Sequence, residues 1–257
     1  MPATTGQSAT RFPRAVIFDA YGTLFDVHSV VAAAEQMFPG QGDALSQLWR
    51  LKQIEYTQLR TLSDPAGARY RPFWDVTLDA LRYAARRLNL ALTGVGEKRL
   101  MDEYACLSAF PDVLPVLRRL REPREDGSRA GLAILSNGNP QMLDIAVKSA
   151  GMNGLFDHVL SVDAVRAYKP AAAAYALGMA AFGTAPREIV FVSSNGWDAA
   201  GAGWFGYTTF WINRQRLPAE ELGVAPHGTG GGMAELAAFL DTAAPPERAP
   251  ARPRPGA

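Results

Sequence analysis

Ala15-Val16-Ile17-Phe18-Asp19-Ala20-Tyr21-Gly22-Thr23 is the stretch that decides the fold. Its first four residues are apolar and two are β-branched, a run of the length and composition of a buried strand. It stops on a carboxylate, Asp19, and a Gly-Thr pair follows. Three other runs share this character: Gly131-Leu132-Ala133-Ile134-Leu135, Ile189-Val190-Phe191-Val192 and Thr208-Thr209-Phe210-Trp211-Ile212. His158-Val159-Leu160-Ser161 is a weaker fifth candidate. Helical signals lie between them. Asn139-Pro140 sets a cap residue before Pro at the first helical position, Leu143, Val147 and Ala150 keep helical spacing, and Gly151 supplies a stop. Val113, Leu114, Leu117 and Leu120 form a second helical stripe. From residue 111 onward the order is βαβα, which predicts an α/β fold with a Rossmann-like, doubly wound parallel sheet.

Residues 28–110 do not join that alternation. The segments 41–62, 74–90 and 96–108 read as helices, and no strand interrupts them. A helical piece of about 80 residues, domain-sized by ordinary standards, therefore follows the first strand. The expected organisation is a catalytic core of residues 14–27 and 111–241, an inserted α-helical cap over 28–110, a flexible N-terminus over 1–13, and a disordered Pro-rich tail over 242–257.

Composition excludes several classes. The 257 residues are 48% hydrophobic and 20% charged, and 26 basic against 25 acidic residues leave a net charge of +1, no electrostatic footprint for nucleic acid or an anionic membrane. No apolar run is long enough to span a bilayer. The polar opening segment is no secretory signal, so a cytoplasmic enzyme is expected. The single cysteine, Cys106, rules out an intrachain disulfide and reads as a small core residue on a helix. The histidines at 28, 158 and 227 show no ligand spacing.

In open α/β sheets, ligands bind beyond the carboxyl ends of the strands. The first strand ends in Asp19-Ala20-Tyr21-Gly22-Thr23 and the second in Ser136-Asn137-Gly138. Tyr168-Lys169-Pro170 follows the weak strand, and Ser193-Ser194-Asn195-Gly196-Trp197-Asp198 the next. Four strand ends thus deliver polar residues that a packed core would not choose. Taken singly, each has an ordinary reading. Asp19 fits a helix cap, Lys169 a solvated loop residue, and Asn139 a simple cap that leaves Ser136 and the Asn137 amides free to cradle a carboxylate.

Read in order, from Phe18-Asp19-Ala20-Tyr21-Gly22-Thr23-Leu24-Phe25-Asp26 through Leu135-Ser136-Asn137-Gly138 to Val192-Ser193-Ser194-Asn195-Gly196-Trp197-Asp198, these motifs resemble the haloacid dehalogenase superfamily. Within it they are similar to the L-2-haloacid dehalogenase (type II) family, over residues 15–213. The resemblance implies hydrolytic dehalogenation of small (S)-2-haloalkanoic acids to (R)-2-hydroxy acids, with inversion at C2. Asp19 is then a covalent nucleophile, a role open to a desolvated carboxylate, and Lys169 keeps it ionised. The superfamily's phosphatases carry a second Asp two positions after the nucleophile, where this chain has Tyr21, and an acidic metal-holding loop where it has Ser193, Ser194 and Asn195. A departing halide needs no protonation. The implied reaction uses no metal and no organic cofactor, only a 2-haloalkanoate and water.

The resemblance assigns Arg50, in Leu48-Trp49-Arg50-Leu51-Lys52-Gln53, to the departing halide, with Asn195 as second donor. Sequence alone gives Arg50 no preference over Lys52. It makes Thr23 a further catalytic residue, and Asp198 the orienter of the hydrolytic water with Ser193 and Lys169, beside a purely structural reading of Asp198. Tyr21, Ile54, Phe73 and Trp197 are candidates to line the alkyl pocket, and Phe73 fits the interior of the cap as well. Leu51 stands where the family pattern has a polar Gln, and residues 63–72 form a longer segment than the family's. Dimerisation is typical of the family, though no interface is legible. The rival readings are a Mg²⁺-dependent phosphatase of the same superfamily and a catalytically silent, ligand-binding homologue.

Overall fold

The computed structural model describes residues 13–124 and 127–242. The expectations for the N-terminus up to residue 12 and for the tail beyond Thr242 lie outside the described residues.

The chain opens with β1 (Ala15–Phe18), all four residues buried. Four helices come next: α1 (Val31–Met37), α2 (Gly42–Ser63), α3 (Phe73–Arg87) and α4 (Gly94–Ala105). The rest alternates helix and strand, except for two successive strands before the last helix. α5 (Val113–Arg121), β2 (Gly131–Ser136), α6 (Pro140–Ser149), β3 (His158–Ser161), α7 (Ala172–Phe182), β4 (Ile189–Ser193), α8 (Gly196–Phe205), β5 (Thr208–Ile212), β6 (Gly228–Gly230) and α9 (Met233–Asp241) complete the order. All six strands are parallel in one sheet, ordered β3-β2-β1-β4-β5-β6. Strand order reverses at β1, as a doubly wound sheet requires. The weak candidate at 158–161 is a true strand. Its half-buried residues reflect its place at the sheet edge.

β6 was absent from the sequence reading. Gly228-Thr229-Gly230 has no apolar pattern, and tertiary packing selects it: a Cβ on Gly228 would sit 2.7 Å from the Phe210 ring. Cys106 is also corrected, because it is exposed just beyond the end of α4 rather than buried on a helix. The inward stripe there is Leu100, Met101, Tyr104 and Leu107, and Cys106 falls outside it.

α2 and α3 form the helical layer over the site. α2 buries Leu45, Trp49, Gln53 and Thr57, four apart along one face, against Phe73, Val76, Thr77, Ala80 and Leu81 of α3. The chain's two crossings between this layer and the sheet run side by side. The Asp26 amide donates to Ser108 O at 2.8 Å and the Phe110 amide to Leu24 O at 3.1 Å. Asn139, expected to cap α6, makes no such bond. Its Oδ1 instead accepts from the Trp74 amide in the first turn of α3, at 3.3 Å, so a core loop serves a helix of the other layer.

Candidate active site

Asp19 continues β1 at the centre of the sheet, and its amide donates to Val192 O at 2.8 Å. Phe18 is registered between Ile134 and Val192, so the carboxylate emerges between the ends of β2 and β4. It is 5% exposed. It is also gripped from three sides. Lys169 Nζ lies 2.8 Å from Oδ1, while Thr23 Oγ1 at 2.8 Å and Asn195 Nδ2 at 2.9 Å donate to Oδ2. A carboxylate offers about four lone-pair sites, so about one remains for chemistry. Thr23 is fixed in turn, its oxygen accepting from the Ser194 amide at 2.8 Å. The turn that returns Thr23 to Asp19 passes through Gly22 at φ +94°, a conformation side chains disfavour. Asp19 is therefore no helix cap.

Lys169 is the hub of a buried charge cluster. Its ammonium is 1% exposed and also touches Asp198 Oδ2 at 2.7 Å. Burial alone would depress its pKa, but Asp19 and Asp198 outweigh that and raise it, so it stays protonated. Complete burial pushes the Asp198 carboxyl up, against the pull of Lys169. Ser193 Oγ donates to Asp198 Oδ2 at 3.0 Å and Tyr175 Oη to Oδ1 at 2.8 Å. Burial holds the Tyr175 phenol well above its ordinary pKa, keeping it a donor. Tyr175 had no place in the sequence reading. It lies inside α7 with no motif around it, and only the fold brings it to Asp198.

The helical layer supplies the second cation. Arg50 Nη2 donates to Tyr21 O at 2.9 Å and to Asn195 Oδ1 at 3.3 Å, and Nη1 to Gln53 Oε1 at 2.7 Å. Lys52, two residues on, pairs with Glu55 at 2.8 Å and stands over the Tyr83 ring, away from the site. Geometry thus separates two residues that sequence could not. Three polar residues missed by the sequence reading hold Arg50 in place. Gln53, fully buried, accepts from Tyr104 Oη at 3.1 Å and donates to Thr77 Oγ1 at 2.6 Å. A glutamine in the buried stripe of α2, three residues after Arg50, was the available signal.

Asn195 connects both halves. Nδ2 faces Asp19 and, at 3.3 Å, Tyr21 O, while Oδ1 faces Arg50. With its hydrogens so committed it orients Asp19 and Arg50, and donating to a halide would require the amide to turn.

Asp19, Tyr21, Arg50, Ile54, Phe73, Ser136, Asn137, Asn195 and Trp197 line one cavity. Thr23, Lys169, Ser193 and Asp198 lie behind it. Leu51 is 60% exposed and takes no part in the lining. Phe73 lines the cavity and packs on Tyr21 with ring centroids 5.4 Å apart. Burial raises the Tyr21 phenol, so it is a neutral wall. Ser136 Oγ accepts from the Gly138 amide at 3.0 Å, which leaves its own proton to donate into the cavity, and Asn137 Oδ1 accepts from the Lys169 amide at 3.0 Å. Among the described residues no cluster of three or more His, Cys, Asp or Glu could hold a metal ion, and no helix is long and apolar enough to cross a membrane.

A Rossmann-like sheet with a buried Asp at the end of its central strand, a Lys between two carboxylates and a helical layer above defines a class, and sequence comparison agrees. The family model described as haloacid dehalogenase-like hydrolase matches residues 13–206, and the chain belongs to that family. Within it, the chain belongs with the (S)-2-haloacid dehalogenases. The (S)-2-haloacid dehalogenase of Pseudomonas sp. (strain YL) is 45% identical over 233 residues, 90% of this chain and 96% of the relative. The crystal structure of the L-2-haloacid dehalogenase RSc1362 is 64% identical with a TM-score of 0.85, covering 91% of this chain and all of that one. The Xanthobacter autotrophicus L-2-haloacid dehalogenase with chloropropionic acid covalently bound is 36% identical with a TM-score of 0.80, covering 89% and 98%.

Proposed function

We propose that this protein hydrolyses the carbon–halogen bond of small (S)-2-haloalkanoic acids to give (R)-2-hydroxy acids. One observation carries the reading: a desolvated carboxylate, Asp19, fixed by Lys169, Thr23 and Asn195, lines a small cavity opposite Arg50. In the first step a free lone pair of Asp19 attacks C2 from behind the halogen. The C–O bond forms as the carbon–halogen bond breaks, configuration inverts, and the halide leaves with the bonding pair. Arg50 faces the charge that develops on it, in a site that excludes bulk water. The Ser136 hydroxyl and the loop after β2 hold the substrate carboxylate at the start of α6. Tyr21, Ile54, Phe73 and Trp197 enclose the alkyl part.

In the second step water attacks the ester carbonyl carbon of Asp19. Asp198, held by Lys169, Ser193 and Tyr175, orients the water and takes its proton. The ester bond from the Asp19 carbonyl carbon to the product oxygen then breaks, that oxygen takes the proton from Asp198 and leaves as the alcohol, and the Asp19 carboxylate is restored as the remaining proton passes to solvent. The oxygens that a hard cation would seek here, Asp19 Oδ2 and Tyr21 O, already accept from Asn195 and Arg50, which disfavours the Mg²⁺ phosphatase reading. The proposal includes a cytoplasmic, homodimeric enzyme, to be checked by fractionation and sedimentation.

The test is a single turnover of (S)-2-chloropropionate in ¹⁸O-water with enzyme in excess. The expected product carries no label at C2, and the peptide containing Asp19 gains it. Label in the product and none in Asp19 would overturn the covalent step.

A further inference from the structure

The cavity at Asp19 is closed off by very few side chains. Five of its lining residues, Asp19, Tyr21, Phe73, Ser136 and Asn137, are buried, so only Arg50, Ile54, Asn195 and Trp197 reach toward the surface. Three of these four, Arg50, Asn195 and Trp197, are also the inner wall of a second, larger cleft. That cleft lies between His28 and Phe110, at the two chain crossings, and the loop after β5 that carries Gln215.

The sizes differ sharply. The outer cleft offers about 460 Å³ and the inner cavity about 10 Å³. The latter is room for roughly one water, whereas chloroacetate has five heavy atoms. A substrate therefore fits only if side chains around the inner cavity move. Arg50 is held by Gln53 and Tyr21, and Asn195 by Asp19. Among the described residues no hydrogen bond holds the Trp197 indole, which sits half-buried in the first turn of α8.

We propose that the outer cleft is the passage by which small carboxylates enter and halide and hydroxy acid leave, and that Trp197 is the part of the shared wall that swings. This rests on the dehalogenase reading for the identity of the cargo, but on the two cavities alone for the route.

The experiment uses Cys106→Ser, which removes the only cysteine, combined with Gln215→Cys in the cleft loop. The thiol is modified with a bulky fluorescein maleimide. The same label on Leu51→Cys, exposed on α2 three residues before Ile54, tests entry past Ile54, the outward-reaching residue that the outer cleft does not share. Unlabelled variants assayed for chloride release from 2-chloropropionate report on the dehalogenase reading by itself. Labelling at 215 is expected to lower kcat/KM by about tenfold or more, with 2-chlorobutyrate hit harder than chloroacetate, because access becomes limiting. Acetate association, followed by stopped-flow tryptophan fluorescence, is expected to slow in parallel, and this needs no dehalogenation. The fluorescence change should vanish in Trp197→Phe, and its persistence there would overturn the swing. If the label at 215 leaves acetate association and kcat/KM unchanged, or only the label at 51 slows them, the passage is elsewhere. Slowed acetate association with no chloride release before labelling would uphold the route and reject the dehalogenase reading.

Discussion

Lys169→Met removes the hub of the buried cluster while keeping side-chain length. In the native protein one Asp19 oxygen lies 2.8 Å and one Asp198 oxygen 2.7 Å from the same ammonium. Those two oxygens are thus at most about 5.5 Å apart, and two unit charges at that distance repel by roughly 3 kcal/mol at an effective dielectric near 20. With no cation between them the two buried carboxylates resist carrying both charges at once, so in the variant the pair favours sharing one proton. Leaving buried charges unpaired also costs about 3–5 kcal/mol of stability. The assay is the burst of chloride release under single-turnover conditions between pH 5 and 9, with circular dichroism confirming the fold at each pH. The variant's burst rate should climb with pH through that window and stay well below the native rate. Lys169→Arg, which restores the charge, should flatten the profile again. A Lys169→Met burst that is independent of pH and close to the native rate would refute the assignment of Lys169 as the group that holds Asp19 ready.

Arg50→Ala should lower turnover by about 10²–10³ with the fold intact, Arg50→Lys should recover only part, and Lys52→Ala should be silent; steady-state chloride release decides all three. Tyr175→Phe removes one charge-assisted bond to Asp198, worth about 1.5–3 kcal/mol. The first chloride burst should survive while the second step slows by roughly 10–100-fold, visible by mass spectrometry as an Asp19 ester. Asp157 is held far below the ordinary carboxylate pKa, chiefly by Arg129 and also by Arg121 and the Leu132 amide. A depressed carboxyl adds stability above its unfolded pKa and loses it as pH falls. Asp157→Asn should therefore cost about 1 kcal/mol in urea unfolding at pH 7, and the gap should narrow below about pH 4.

Much of the fold and most of the site were legible because they follow from local order. A short β-branched run that ends in a polar residue has few uses other than a buried parallel strand with a loop at its carboxyl end. Four such ends in sequence fix where a ligand must lie, so Asp19, Ser136, Lys169 and Asp198 could be named together. The helical character of 28–110 followed in the same way from its lack of strand signals. Periodicity tells which residues share a face but not which face meets the site. Arg50 and Lys52 are two apart on α2, pointing to different sides, and only the packing of Trp49, Gln53 and Thr57 on α3 turns Arg50 toward Asp19. Tyr175 is invisible for a similar reason: a tyrosine in an alanine-rich helix carries no chemistry until the fold brings Asp198, at the start of α8, within reach of its hydroxyl. β6 is the limiting case, a strand of two glycines and a threonine that pairs with β5 where a Cβ on Gly228 would clash with Phe210. Apart from β6, sequence determined the order of elements and the chemical groups at their ends, since those depend on neighbours along the chain. Tertiary structure decided which groups touch, since that depends on neighbours in space.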